Sequence, residues 1–282
     1  MNINMTQDER AAGELDEDSL AKAIEAIRED GYVVIEQVVD HAFLDVLRVC
    51  MDEGSAKLIA AEKWGGAGRL RGHLQQGPPP FVPFLSSDVV ANPYAVQIAK
   101  DMLGPGFYCS FYNGNTNTPG SDTQPIHGDG VHLWGDRDQP HPATQLIVNV
   151  FPQDTSEENG ATQIWPGSHL DMRPVSEETE ADRRSFSPPV QACARKGDIL
   201  VRDSRLWHRG VPNLSDHNRH MVAVVYNIAW LVKRRTLFFG KGSEEMFADA
   251  GVDPNAEFLD PPFEYLFEMA CRKLKMDPMT GV

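Results

Sequence analysis

The stretch Gln124-Pro125-Ile126-His127-Gly128-Asp129-Gly130 places a histidine and a carboxylate one residue apart. Residues i and i+2 of an extended backbone project to the same side, so His127 and Asp129 can hold one ion from the end of a strand. A second histidine, His208, lies far downstream in Leu206-Trp207-His208-Arg209-Gly210. Two histidines and one carboxylate, with the opposite positions open, form the facial triad of non-haem Fe(II) oxygenases. The sequence therefore predicts an iron site at His127, Asp129 and His208.

Two further motifs accompany these ligands in a fixed order. The first, Asn159-Gly160-Ala161-Thr162 followed by Pro166-Gly167-Ser168-His169, lies between Asp129 and His208. The second runs from His208 through Asn213 and Ser215 to Arg219. With the Gln-x-x-His-x-Asp element, this order resembles the phytanoyl-CoA dioxygenase family of Fe(II)/2-oxoglutarate-dependent oxygenases. The resemblance extends over about residues 30–226.

The resemblance implies a fold, a set of cofactors and a reaction. The fold would be mainly β with flanking α-helices, around a double-stranded β-helix (jelly-roll, cupin-like) core. The cofactors would be Fe(II), O2 and 2-oxoglutarate. Arg219 would bind the distal carboxylate of 2-oxoglutarate, because a planar guanidinium can pair bidentately with a carboxylate. Gln124 and Thr162 would hydrogen-bond the same cosubstrate, and Arg202 and Arg209 are the next candidates if Arg219 is not the anchor.

The expected reaction is oxidation of an unactivated C–H bond of a small, mainly apolar molecule, a secondary metabolite, with release of succinate and CO2. Related halogenases replace the carboxylate with Gly or Ala, so Asp129 argues for oxygenation: hydroxylation, desaturation or rearrangement. One alternative is a non-redox, metal-binding cupin-type isomerase or binding protein, which would need neither Arg219 nor Gln124. A regulatory homologue would usually have lost a metal ligand, and none is lost here. An acyl-CoA hydroxylase is the alternative within the family.

Composition limits the classes of partner. The 282-residue chain has a formal net charge of −15. Nucleic acids and anionic membranes bind positively charged surfaces, so neither is expected as a partner. The negative charge also argues, more weakly, against a CoA thioester as substrate. No window approaches the ~18 consecutive apolar residues of a membrane span, and the polar N-terminus lacks a secretory signal. The four widely spaced cysteines indicate reduced, mostly buried thiols in a cytoplasmic protein. The expected partner is a small-molecule substrate, and the sequence leaves open whether the chain forms a homodimer.

The length of the chain fits one domain over residues 1–282. The pattern of apolar residues predicts a helical N-terminal part at about 16–104, short strands at about 105–232 and a helical tail at about 240–282, and the resemblance implies that the strands form the jelly-roll core. Helical spacing covers 18–29, 40–63 and 92–103, and residues 65–83 form a Gly- and Pro-rich loop. Strands are predicted at residues 32–35, 107–112, 144–151, 190–194, 198–202 and 221–228.

Substrate contacts are predicted on two segments. Arg69, Arg71 and His73 lie in the Gly-rich loop, which could cover the mouth of the barrel. Asn113 and Asn115 alternate with their neighbours along a strand that leads toward Gln124, so they could line the cavity. We expect His169 to be a structural histidine, His132 and His141 to lie near the metal segment or at the surface, and His217 and His220 to lie outside the barrel.

Overall fold

The computed structural model describes residues 1–62, 70–135 and 139–267. The three predicted N-terminal helices are present as α2 (Glu17–Glu29), α3 (His41–Ala60) and α5 (Pro93–Leu103). Each begins after an Asp or Asn whose side chain accepts a hydrogen bond from a backbone N–H of the first turn, the usual N-cap arrangement. The shorter helices are α1 (Gln7–Ala12), α4 (Ser87–Val90), α6 (Glu177–Phe186) and α7 (Glu244–Ala250).

Within the described residues, the larger sheet has seven strands, and every neighbouring pair except the first is antiparallel. In spatial order they are β1 (Asn2–Ile3), β2 (Tyr32–Ile35), β8 (Ile199–Asp203), β5 (Gln145–Val150), β10 (Arg219–Asn227), β4 (Tyr108–Asn117) and β3 (His73–Gln75).

A smaller sheet is formed by β7 (Val190–Gln191), β6 (Gln163–Ile164) and β9 (His208–Arg209). The segment around His127 extends it, because the backbones of His127 and His208 exchange two hydrogen bonds of 3.0 and 2.8 Å. Residues of both sheets line one cavity. The arrangement is the jelly-roll core that the sequence predicts.

Side-chain alternation along β10 divides the helix side of the larger sheet from the cavity side. Val222, Val224 and Tyr226 belong to the main hydrophobic core, which includes residues of α2, α3 and α5. The alternate residues Arg219, Met221, Ala223 and Val225 line the cavity. The sheet therefore presents an apolar surface to the helices and a mixed polar and apolar surface to the cavity.

His220 lies on the helix side of β10 and is fully buried. Its Nε2 is 3.0 Å from Asp52 Oδ1 of α3, and its Nδ1 is 2.8 Å from Thr116 Oγ1. His220 thus lies outside the barrel cavity, as the sequence predicts. It is part of a buried polar cluster with Asp52 and Thr116. His217 is exposed.

The structure differs from the sequence predictions in three segments. The loop at 65–83 contains β3, which pairs with the edge of β4, and β4 is longer than predicted. These strands depend on pairing with a neighbour more than on local composition. The C-terminal part contains α7 but also an unpredicted parallel pair, β11 (Leu237–Gly240) and β12 (Ala256–Leu259). Residues 268–282, the end of the predicted helical tail, lie outside the described residues.

Two further observations concern membrane-spanning helices and the cysteines. Along the described part of the chain, no helix combines the length and the apolar character needed to cross a bilayer. Cys50, Cys109 and Cys193 are free thiols, but only Cys109 is buried and Cys193 is exposed. Cys271 lies beyond the described residues.

Candidate active site

The structure brings His127, Asp129 and His208 together. One ligand atom from each residue lies within 4.8 Å of the others. His208 Nε2 is 3.4 Å from Asp129 Oδ2, and the two imidazole rings have centroids 4.4 Å apart. Because His127 and His208 are paired across the smaller sheet, their side chains project to the same side.

Both imidazoles are held by a hydrogen bond to their own backbone segment. His127 Nδ1 is 2.9 Å from the carbonyl oxygen of Pro125, and His208 Nδ1 is 2.9 Å from that of Leu206. A carbonyl oxygen can only accept, so each Nδ1 carries the proton and each Nε2 keeps its lone pair. A metal-binding histidine usually has its second nitrogen fixed in this way. The two rings are thus arranged as metal ligands.

Asp129 is held by Arg202 of β8, whose Nη2 donates to Asp129 Oδ2 at 2.6 Å. Partial burial alone would raise the pKa of the Asp129 carboxyl, but the charge of Arg202 and the hydrogen bond from its guanidinium outweigh this and hold that pKa well below its usual range. Burial, together with the charge of Arg202, lowers the pKa of His208. The carboxylate is therefore ionised and the His208 imidazole neutral at neutral pH, the forms in which each can bind a metal.

Arg219 lies at the start of β10 and is only 3% exposed. Its Nη2 donates to the carbonyl oxygen of Gly160 at 3.0 Å, and its Nε has no hydrogen-bond partner. Among the described residues, no carboxylate forms an ion pair with it. Burial lowers the pKa of the guanidinium to about 10, so it remains charged at neutral pH. A buried, unpaired cation that lines a cavity is a site for an anion.

Gln124 and Thr162 also line this cavity. The side-chain oxygen of Gln124 accepts a hydrogen bond from Gly210 N–H at 2.8 Å. The group that Gln124 can offer to a ligand is therefore its Nε2 donor.

Gly160, whose carbonyl oxygen accepts the hydrogen bond from Arg219, has φ of +76°, which explains a glycine in the Asn-Gly-Ala-Thr turn.

The cavity has a volume of about 650 Å³. One part is polar and lies around Arg219, Asn117 and His73, which are cross-strand neighbours on β10, β4 and β3. The rest is lined by several apolar side chains, namely Phe111, Ile147, Phe151, Leu200, Met221 and Val225.

The predicted substrate residues are distributed unevenly. His73 and Asn115 line the cavity, but both lie toward the Arg219 end. Asn113 shares their face of β4 but lines a smaller adjoining pocket. Arg71 is exposed and is not among the residues that line the cavity. Arg69 lies outside the described residues.

The remaining histidines near the motifs have structural partners. His169 is buried, and its Nε2 is 3.1 Å from the carbonyl oxygen of Arg28. His141 is buried and contacts Arg205, whereas His132 is half-buried with its Nε2 near the carbonyl oxygen of Asp171. None of the three is among the residues that line the cavity.

Two features of this site were not predicted from the sequence. Arg202 was expected only as a substitute anchor, not as a partner of Asp129. Asn149, whose side-chain oxygen accepts a hydrogen bond from Arg202 Nε at 3.1 Å, was not among the expected site residues. The available signal was a polar residue on the cavity face of the strand, between the apolar residues Ile147 and Phe151. Arg209, the other substitute, does not line the cavity.

Among curated proteins, the chain is similar to two fungal dioxygenases. It is 29% identical over 145 residues to dioxygenase andF of Emericella variicolor, covering 50% of this chain and 49% of that protein. It is 29% identical over 162 residues to dioxygenase af480 of Aspergillus fumigatus, covering 56% of this chain and 50% of that protein. The chain thus spans about half the length of these relatives.

Among solved structures, the chain is similar to the non-haem α-ketoglutarate-dependent carbocyclase SnoK from nogalamycin biosynthesis, with 21% identity and a TM-score of 0.54 over 87% of this chain and 94% of that one. It is also similar to the epimerase SnoN in complex with Fe3+, α-ketoglutarate and nogalamycin RO, with 21% identity and a TM-score of 0.55 over 75% and 84%. At this identity the similarity establishes the fold.

A family model decides the classification. The model described as phytanoyl-CoA dioxygenase (PhyH) matches residues 27–221, which include both histidines, Asp129 and Arg219. With the jelly-roll core and these residues around one cavity, the chain belongs to the phytanoyl-CoA dioxygenase family.

Proposed function

We propose that this protein is an Fe(II)/2-oxoglutarate-dependent dioxygenase that oxidises an unactivated C–H bond of a small, mainly apolar molecule. The observation that carries the proposal is Arg219, a buried guanidinium without a carboxylate partner among the described residues, in the same cavity as the His127, Asp129 and His208 cluster. The three ligand types are those of a facial Fe(II) site, and a dicarboxylate that chelates the metal at one end offers Arg219 its other end.

In this proposal the protein orients its ligands before the cosubstrate arrives. When bound, Fe(II) and 2-oxoglutarate supply the oxidising chemistry, with O2 as oxidant and succinate and CO2 as products. The backbone carbonyls of Pro125 and Leu206 fix the two imidazoles, and Arg202 fixes Asp129. Arg219 binds the distal carboxylate and Gln124 offers an N–H donor beside it. The apolar side chains of the cavity exclude water and place the C–H bond to be oxidised.

The substrate class follows from the cavity. A volume of about 650 Å³ lies in the range of small-molecule sites. The apolar part of the lining suits a hydrocarbon framework, and the polar groups beside it suit a few oxygen atoms. We therefore propose a secondary metabolite, oxidised by hydroxylation, desaturation or rearrangement. The similar solved structures named for nogalamycin biosynthesis support this class.

The experiment that tests the proposal is an anaerobic titration of the metal-free protein with Fe(II) and then 2-oxoglutarate, followed in calorimetry. We expect both to bind, and we expect succinate to form after air is admitted. A non-redox cupin-type isomerase or binding protein would bind the metal but would neither bind 2-oxoglutarate tightly nor form succinate. Metal binding without 2-oxoglutarate binding and without succinate formation would overturn the proposal.

A further inference from the structure

Arg202 uses two of its three nitrogens in the cavity wall and leaves the third without a partner. Its Nη2 donates to the metal-ligand candidate Asp129, and its Nε donates to Asn149 Oδ1. Its Nη1 is buried and has no hydrogen-bond partner. The side chain of Arg202 is only 7% exposed, although it lines the cavity. Arg202 therefore carries an unused, charged donor beside the metal ligands.

Asn149 adds a second unused donor at the same place. Because Arg202 Nε–H can only donate, the amide oxygen of Asn149 must face it, and the amide nitrogen must point away. That nitrogen, Nδ2, is also buried without a hydrogen-bond partner. Buried polar atoms in native proteins nearly always have hydrogen-bond partners. Two donors without partners, Arg202 Nη1 and Asn149 Nδ2, on the wall of one cavity therefore indicate an acceptor atom on a ligand.

The register of the sheet separates this donor pair from Arg219. Arg219 opens β10, whereas Val225, near the other end of that strand, pairs with Ile147 of β5. Ile147 in turn pairs with Arg202 of β8. Asn149 pairs with Ala223, four residues along β10 from Arg219. The two guanidinium groups therefore serve different parts of the cavity.

We propose that Arg202 and Asn149 form an acceptor subsite that binds a carboxylate or carbonyl oxygen next to the metal. This inference rests on the proposed function and extends it, because it requires an oxygen acceptor on the bound molecule. The acceptor belongs either to the organic substrate or to the metal-chelating end of 2-oxoglutarate. The position of the subsite in the half of the cavity away from Arg219 favours the substrate.

The test compares two probes on Mn(II)-loaded protein, in which no oxidation occurs. The first probe is 2-oxoglutarate, and its Kd is measured by calorimetry. The second is benzoate, a carboxylate on an apolar ring, and it is added with 2-oxoglutarate already bound. Proton relaxation by Mn(II) reports whether benzoate lies near the metal, and toluene serves as the probe without an acceptor.

Asn149→Asp is the sharpest variant, because it keeps the oxygen that faces Arg202 Nε and replaces the second donor by an acceptor. Arg202→Lys is the second variant, because it keeps the positive charge beside Asp129 but removes the planar fork. Gln145→Met is the matched control. Gln145 lines the same cavity on β5, but its amide nitrogen already donates to Asn227 Oδ1 at 2.6 Å.

We expect Asn149→Asp to abolish the relaxation of benzoate while the Kd of 2-oxoglutarate changes less than about twofold. Arg202→Lys also alters the support of Asp129, so its relaxation is compared at Mn(II) saturation, verified by calorimetry, and should be lost there as well. Loss of 2-oxoglutarate affinity by about tenfold, the effect of one charge-assisted hydrogen bond, would also support the subsite and assign it to the cosubstrate. If both variants match the wild type with both probes, the subsite is wrong and the donors are satisfied by water.

The same measurements separate this inference from the proposed function. If the wild-type protein binds no 2-oxoglutarate, the proposed function fails and the subsite fails with it. If 2-oxoglutarate binds and Arg219→Met weakens it, but Asn149→Asp and Arg202→Lys do not differ from the wild type, only the subsite is overturned.

Discussion

Replacing Arg219 by methionine should weaken 2-oxoglutarate binding without destabilising the ligand-free protein. Arg219 is a buried cation whose pKa is lowered to about 10 by burial, and in the described residues no carboxylate pairs with it. Removing such a charge relieves a desolvation penalty. Methionine keeps a long, flexible apolar side chain in its place. Gly160, which loses its bond from Arg219, keeps a contact with Asn117 Nδ2 at 3.4 Å.

The size of the effect follows from the contact that is lost. A hydrogen bond to a charged group contributes about 1.5–3 kcal/mol, which corresponds to a Kd about 10- to 140-fold higher. At a concentration of 100 times the wild-type Kd, the ligand stabilises the wild-type protein by about 2.7 kcal/mol. With a 100-fold weaker Kd, the same concentration stabilises the variant by only about 0.4 kcal/mol.

The assay measures the Kd by anaerobic calorimetry and the free energy of unfolding with and without 2-oxoglutarate. Arg219→Lys keeps the charge but not the fork, so it should lie between the wild type and Arg219→Met. Arg209→Met is the control, because Arg209 donates to Gln163 outside the cavity lining. Unchanged 2-oxoglutarate affinity in Arg219→Met, or equal loss in Arg209→Met, would refute the assignment of the anchor.

Three further predictions concern the ligands, a turn and a helix cap. His127→Ala, Asp129→Ala and His208→Ala should each abolish succinate formation and weaken Mn(II) binding in calorimetry. Wild-type turnover in all three variants would contradict the assignment of these residues as metal ligands. Gly160→Ala should lower both the melting temperature and the 2-oxoglutarate affinity, because its φ is +76° and a Cβ would lie 2.4 Å from Asn117 Nδ2; a variant equal to the wild type in both measurements would contradict this. Glu9 accepts hydrogen bonds from Thr6 and from the backbone of Asp16, which outweigh burial and lower its pKa from 4.5 to about 2. Its ionised form therefore stabilises the fold above pH 4.5, and this stabilisation is lost as the pH falls to about 2. In urea unfolding, Glu9→Gln should be less stable than the wild type at pH 7, and the difference between the two proteins should shrink in acid.

Local patterns in the sequence could predict the parts of the site that share a segment. His127 and Asp129 project together because they are two residues apart in extended backbone. The helices were predictable because apolar spacing and Asp or Asn N-caps are local signals, as at Asp40 and Asn92. The approach of His208 to His127 is not a local signal, because it depends on pairing across the smaller sheet. It was inferred from the ligand types of a facial triad and from the family resemblance.

Contacts set by long-range register could not be predicted from one sequence. The bond from Arg202 to Asp129 and the position of Asn149 depend on the pairing of β5 with β8. The same holds for His73, which lies beside Arg219 because β3 pairs with β4 at Asn117. His73 therefore lies at the Arg219 end of the cavity, a position that its place in the Gly-rich loop did not indicate.

We propose that this cavity couples O2 to the decarboxylation of 2-oxoglutarate. Mass spectrometry of succinate formed under 18O2 tests this coupling, with protein loaded with Fe(II) and 2-oxoglutarate and with Asp129→Ala as the inactive control. We expect succinate that carries one 18O atom, formed by the wild type and not by the variant. Succinate without 18O, equal formation by the variant, or no succinate at all would contradict it.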